Sequence, residues 1–147
     1  DPDDRKLFWT AYNQLGVILI RQKDYESAKK FLNTALKRAR SIDDKRGLIR
    51  VLCNLGALCM KVRKMEQAED YFEKALSFAR DIGDLLNQTR ILTNLGISNM
   101  NLNRYENSKK YFAKAKKLAE QIGWYEGLAE LSVHIKKLKK NLSPKTS

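Results

Sequence analysis

Eight polar residues return at matching places along this 147-residue chain, in step with a repeat of forty. They are Gln14 and Arg21, then Arg50, Asn54 and Lys61, then Arg90, Asn94 and Asn101. With Thr10, Val17, Ala57 and Ile97 they follow the spacing i, i+4, i+7, i+11, which keeps each set on one side of a helix. A carboxamide both donates and accepts hydrogen bonds, so Asn54 and Asn94 suit the main chain of a bound peptide. Arginine grips a carboxylate through two parallel hydrogen bonds. Arg50 and Arg90, with Arg21 and Lys61, therefore suit an acidic partner. Val17, Ala57 and Ile97 leave room between the polar ends for a side chain. Met60 and Met100 stand beside the stripe and adapt readily to apolar groups. A structural role competes at every position: a solvated face for the arginines, a bond to a neighbouring helix's backbone for the asparagines, plain packing for the methionines.

Other chemistry is poorly served. The sequence has no glycine-rich phosphate loop, no Ser-His-Asp set and no carboxylate pair in a glycine-framed turn, so no enzyme and no cofactor are expected. His134 is the only histidine, which removes most metal and general-base arrangements and leaves it a packing or surface role. Cys53 and Cys59 lie six apart in an apolar stretch, neither a metal-ligand spacing nor a disulfide framework. They read as reduced core residues, and the expected location is cytoplasmic. No apolar run approaches the length of a membrane span. No secretory leader is visible, and the Asp-Pro start without methionine points to a piece of a longer chain.

The elements that carry the polar stripe are themselves repeated. Gln14-Leu15-Gly16, Asn54-Leu55-Gly56 and Asn94-Leu95-Gly96 step by forty. Twelve residues after each glycine comes a small residue (Ala28, Ala68, Ser108), then Leu32, Phe72 and Phe112, then Ala35, Ala75 and Ala115. The apolar periodicity predicts first helices over roughly 5–22, 45–62 and 85–102, and second helices over roughly 25–42, 65–82 and 105–122. Asp43-Asp44, Gly83-Asp84 and Gly123 close the units, glycine fitting a left-handed helix end. A lone hairpin cannot bury its apolar face, but three stacked ones build a continuous core. When such repeats stack with curvature, first helices line the inner wall, and the three stripes would share one groove.

This pattern resembles the tetratricopeptide repeat family. The resemblance covers about 5–122 and rests on the Leu-Gly pairs, the small residue, the bulky apolar residue and the closing alanine. It implies an all-α, right-handed solenoid of three helix-turn-helix repeats in a single domain over 1–142. It also implies a non-catalytic adaptor, or the sensing part of a regulator, whose concave wall binds peptide through asparagines at this position. Three departures stand out. An early aromatic is present only as Tyr12, Leu52 and Leu92 replacing it; the closing proline is absent; and the period is forty rather than about 34. The longer period looks like the extended variety of bacterial peptide-sensing regulators and of eukaryotic polarity and spindle-orientation adaptors. The family's chaperone-tail clamp is not expected, since Asn13 and Val17 occupy its lysine and asparagine places.

Beyond the third repeat, Leu128, Leu131, Ile135, Leu138 and Leu142 form an apolar stripe, while Lys136 falls where the repeat glycine would be. Residues 124–142 read as a capping helix and 143–147 as a disordered tail; pairing of the stripe with a partner helix is the alternative. Trp9 and Phe8 are expected to pack on an upstream repeat. The chain carries 29 basic against 17 acidic residues, net +12, and seven of those charges fall after residue 103. A second reading follows: a basic docking surface for nucleic acid or an acidic protein in the Lys-rich C-terminal half. Sparse aromatic interleaving and acidic Glu69 and Asp70 between Lys29-Lys30 and Lys109-Lys110 make nucleic acid the weaker partner.

Overall fold

The computed structural model describes residues 1–143, which form seven helices and, among them, no strand. These are α1 (Pro2–Arg21), α2 (Tyr25–Ser41), α3 (Lys45–Lys61), α4 (Met65–Asp81), α5 (Leu85–Asn101), α6 (Tyr105–Gln121) and α7 (Tyr125–Leu142). Boundaries match the periodicity to within a residue or two, except that α1 starts earlier. Proline suits the first turn, where its missing N–H has no helical partner, and Asp1 caps the end by accepting from the Asp3 N–H.

One turn design serves every connection. The residue after each helix cap is left-handed, with φ of 50–66° at Lys23, Asp43, Arg63, Gly83, Asn103 and Gly123, a step of twenty residues. At five of these the left-handed N–H returns to the carbonyl three back, and the next N–H to the carbonyl five back, closing the helix end. That next residue is also the N-cap of the following helix. Asp24, Asp44 and Asp84 fill the role with a carboxylate, accepting from the N–H of Ser27, Gly47 and Asn87 at 2.9–3.1 Å. Lys64, Arg104 and Trp124 do not cap with their side chains.

The described residues belong to two compact units, one of Asp1–Ile82 and one from Gly83 onward. In the first, α1 pairs with α2 and α3 with α4, and α3 packs on both α2 and α1. The glycine motif has a direct structural meaning here. A β-carbon on Gly56 would stand 2.6 Å from the Phe72 ring, and one on Gly16 would stand 2.6 Å from Leu32. The bulky residue sixteen positions on fills the space that the glycine leaves. Ala28, Ala35, Ala68 and Ala75, all fully buried, let the helix backbones close around it.

Trp9 does not need an upstream repeat. Its indole lies against Gly47, only 6% of the residue is exposed, and its Nε1–H donates to Asp44 Oδ2 at 3.1 Å. Asp44 thereby holds the start of α3 and a ring from α1 with its two oxygens. Phe8 behaves otherwise: with Leu7, Leu15 and Ile18 it lies exposed along α1.

In the second unit α5 pairs with α6, and α7 packs on α6 and touches α5. Phe112 fills the space over Gly96, and Ser108 Oγ donates to the Gly96 carbonyl at 2.8 Å. Leu131 and Leu138 are buried on α7, while Lys136 is exposed at the glycine register position. Ser143 ends the helix in extended backbone, its hydroxyl bonded to the Lys139 carbonyl; the rest of the expected tail lies outside the described residues.

His134 stacks on Phe112, ring centroids 6.0 Å apart. Burial pushes its imidazole below the ordinary value of 6.5, Lys137 reinforcing and Glu130 opposing the shift. The folded state thus favours the neutral ring. Its contribution is present above pH 6.5 and is lost as pH falls through the lowered folded value. The melting temperature should fall as pH drops below 6.5, and His134→Leu should flatten that slope; equal slopes would exclude His134 as the source.

Candidate functional site

Each unit presents its own first-helix face. In the first unit this is the outward side of α1 and α3. Asn54 is half-buried and spends its amide: Nδ2 donates to Oδ1 of Asn13 at 2.8 Å, and Asn13 is buried. The expected bond to a neighbouring backbone is instead a side-chain bridge between α1 and α3. Arg50 is exposed, one turn beyond Gly47, its guanidinium 6.0 Å from the Trp9 ring centroid. A planar cation over an indole loses side-chain freedom while keeping its N–H edges available. Gln14 is exposed on α1.

The second unit repeats the motif with different residues. The Trp124 ring presses on Gly127, leaving no space for a β-carbon there, and the Arg90 guanidinium stands 5.3 Å from its ring centroid. Indoles thus cover Gly47 and Gly127, glycines eighty residues apart, from different sources. Trp9 arrives from the preceding first helix, whereas Trp124 folds back from the N-cap of its own helix. An arginine stands over each ring. In the second unit this geometry opens a cleft of about 300 Å³, lined by Arg90, Thr93, Asn94, Trp124, Gly127 and Glu130.

Asn94 here differs from Asn54. It is half-exposed on the cleft wall, with no side-chain partner among the described residues. Thr93 has already committed its hydroxyl to the Thr89 carbonyl at 2.9 Å. Arg90 and Glu130 both line the cleft without an ion pair among the described residues.

Of the eight expected residues, Arg90 and Asn94 share this cleft, and Arg50 and Asn54 lie on one face of α3. The other ends of the stripes do not join them. Arg21, Lys61 and Asn101 are the exposed final residues of α1, α3 and α5, and eleven residues of helix place Asn101 about 16 Å beyond Arg90. Met100 is buried and Met60 half-buried, in keeping with packing. Sequence reasoning missed the two indoles. The available signal was the pair of extra glycines, Gly47 and Gly127, in a chain with only two tryptophans.

Among the described residues no cluster of three or more His, Cys, Asp or Glu is placed to hold a metal ion, and no helix is long and apolar enough to cross a membrane. Both cysteines are free, Cys59 buried and Cys53 partly so; burial pushes the Cys59 thiol up.

Comparison with known families returns the tetratricopeptide repeat twice, over residues 8–81, half of the chain, and again over 89–122. The chain belongs to the tetratricopeptide repeat family. Its fold is similar to that of BtubC from P. vanneervenii (TM-score 0.85, 19% identity over 98% of this chain and 59% of that one). It is also similar to a signal transduction ATPase with numerous domains, carrying a tetratricopeptide repeat sensor, from Pyrococcus horikoshii (0.86, 18%, 94% of this chain and 22% of that one). The N-terminal domain of stress-induced protein-1 from C. elegans matches along nearly the whole of both chains (0.73, 19%, 95% and 98%). The chain thus spans about three fifths and about one fifth of the first two relatives. The comparison with curated proteins finds no match.

Proposed function

We propose that this tetratricopeptide repeat chain is a non-catalytic protein-interaction scaffold that holds an acidic peptide or partner helix against its first helices. Three helix-turn-helix repeats, with α7 as a cap, form one domain over 1–142 that acts as an adaptor or as the sensing part of a larger protein. The observation that carries the reading is the α5–α7 cleft, where Arg90 stands over Trp124 beside the Asn94 amide, which has no side-chain partner among the described residues. Arg90 supplies a fork for a carboxylate. Asn94 supplies a donor and an acceptor for one peptide unit. Glu130 accepts a main-chain N–H or a basic neighbour and repels a second carboxylate. The ligand segment is therefore an acidic residue followed by a donor, rather than a uniformly acidic run. In the first unit Arg50 over Trp9 offers a second carboxylate contact, and Gln14, Arg21, Lys61 and Asn101 extend the two faces toward the helix ends.

The two asparagines separate binding from bracing. Asn94→Ala should leave thermal unfolding nearly unchanged and weaken peptide binding by about 1 kcal/mol. Asn54→Ala should instead cost about 1–3 kcal/mol of stability, because it leaves the buried Asn13 oxygen without its donor. Peptides selected from a random library on the native chain, then titrated against Arg90→Glu with calorimetry as readout, provide the test. Acidic sequences that bind at least about tenfold more weakly to Arg90→Glu are expected. Selected peptides with unchanged affinity for that variant would overturn the reading.

A further inference from the structure

Between α6 and α7 lies a second groove, of about 270 Å³, with an apolar floor and a basic rim. Phe112, Ile135, Leu138 and Leu142 make the floor; Lys109, Lys116 and Lys139 make the rim. Its register has a counterpart eighty residues earlier. Lys29, Leu55, Leu58, Cys59 and Val62 line the α2–α3 cleft at the places of Lys109, Ile135, Leu138, Lys139 and Leu142. There a third wall is present, made by Lys64, Gln67 and Tyr71 at the start of α4. α4 thus flanks that groove from one side, packing on α3.

Two differences decide what kind of helix the α6–α7 groove takes. Gly56, which admits the Phe72 ring of α4, becomes exposed Lys136, and buried Cys59 becomes exposed Lys139. Close apolar packing is traded for ammonium groups along the edge, so a repeat helix with an aromatic knob no longer fits. The helix seated beside the equivalent groove, α4, carries Glu66, Glu69, Asp70 and Glu73. A second copy cannot supply that helix, because Ala68, Phe72 and Ala75 of α4 are fully buried in its own unit. Two chains of net charge +12 also repel.

We propose that the α6–α7 groove docks an acidic amphipathic helix of a partner protein. The apolar edge of that helix lies against half-buried Ile135 and exposed Leu142, and its carboxylates meet Lys109, Lys116 and Lys139. Lys116 gives up only an exposed pairing with Glu120 at 3.9 Å, which is worth little in water. Nucleic acid is poorly matched, since Phe112 is 1% exposed and offers no face for a base to stack on. The inference does not depend on the α5–α7 cleft.

The probe is a fluorescein-labelled peptide of roughly 18 residues, leucine along one helical edge and glutamate elsewhere, long enough to hold a helix once docked. Saturable binding is expected, weakened about tenfold or more by the combined Lys109→Glu, Lys116→Glu and Lys139→Glu. Leu142→Asp should weaken it as well, and the groove substitutions should weaken it by the same factor in an Arg90→Glu background. A control with the same loss of charge elsewhere, Lys23→Glu, Lys37→Glu and Lys74→Glu, should change affinity less than about threefold. Equal losses in control and groove variants would reduce the effect to net charge and overturn the proposal. So would equal binding of a lysine-for-glutamate peptide. Sedimentation of the chain alone as a dimer that Leu142→Asp dissolves would replace the partner with a second copy. Displacement of the peptide by an oligonucleotide whose own binding needs the three groove lysines would replace it with nucleic acid.

Discussion

Gly56→Leu should unfold at a clearly lower temperature than the native chain. The new β-carbon would stand 2.6 Å from Cε1 and 2.7 Å from Cζ of Phe72. Phe72 has nowhere to go: it is fully buried, with buried Ala68 and Ala75 one turn away on either side. The remaining atoms of leucine enlarge the overlap, so α3 and α4 must separate. Overpacking of this kind costs about 1–3 kcal/mol. At this chain length that corresponds to a fall of at least several degrees. Gly56→Ala should show the same direction with a smaller amplitude. Thermal melts followed by circular dichroism report both. An unchanged melting temperature for the leucine variant would show that the phenyl ring swings aside and that close backbone approach is not what the glycine provides.

Trp9→Ala should be costlier still. A buried indole is lost, with about 3–5 kcal/mol of packing. Asp44 also loses the donor on one of its two oxygens while continuing to cap α3 with the other. Trp9→Phe keeps most of the volume and removes the N–H donor, so it should cost less, about 1 kcal/mol from the hydrogen bond and the remainder from the smaller ring. The comparison separates packing from capping. If Trp9→Ala left stability within about 0.5 kcal/mol of native, as expected of a surface position, the indole would not be a structural link between α1 and α3.

These two variants mark the boundary between near and distant information in the chain. The Gly56–Phe72 contact spans sixteen residues across one hairpin, and the forty-residue repetition of Gly16–Leu32, Gly56–Phe72 and Gly96–Phe112 made it legible. Helix ends were equally legible, since a left-handed residue followed by a cap depends on three or four neighbours. Gly83 and Gly123 are left-handed as their type allows without strain; Lys23 and Arg63 take the same conformation because the repeat geometry imposes it.

The polar partners were not legible in the same way. Asn54 and Asn94 occupy equivalent positions, yet one bridges to Asn13 and the other faces a cleft with no side-chain partner among the described residues. Trp9 reaches the cap of a helix 35 residues away, and Trp124 stands where the other first-helix caps have aspartate. Periodicity tells which side of a helix turns from the core, because that depends only on residue spacing along one axis. By itself the sequence therefore determined the helices, the left-handed glycines that close two units and the glycine contacts. Which arginine covers which indole, and which amide finds a side-chain partner, depends on the crossing angle and axial offset of packed helices, and these exist only once the core has closed.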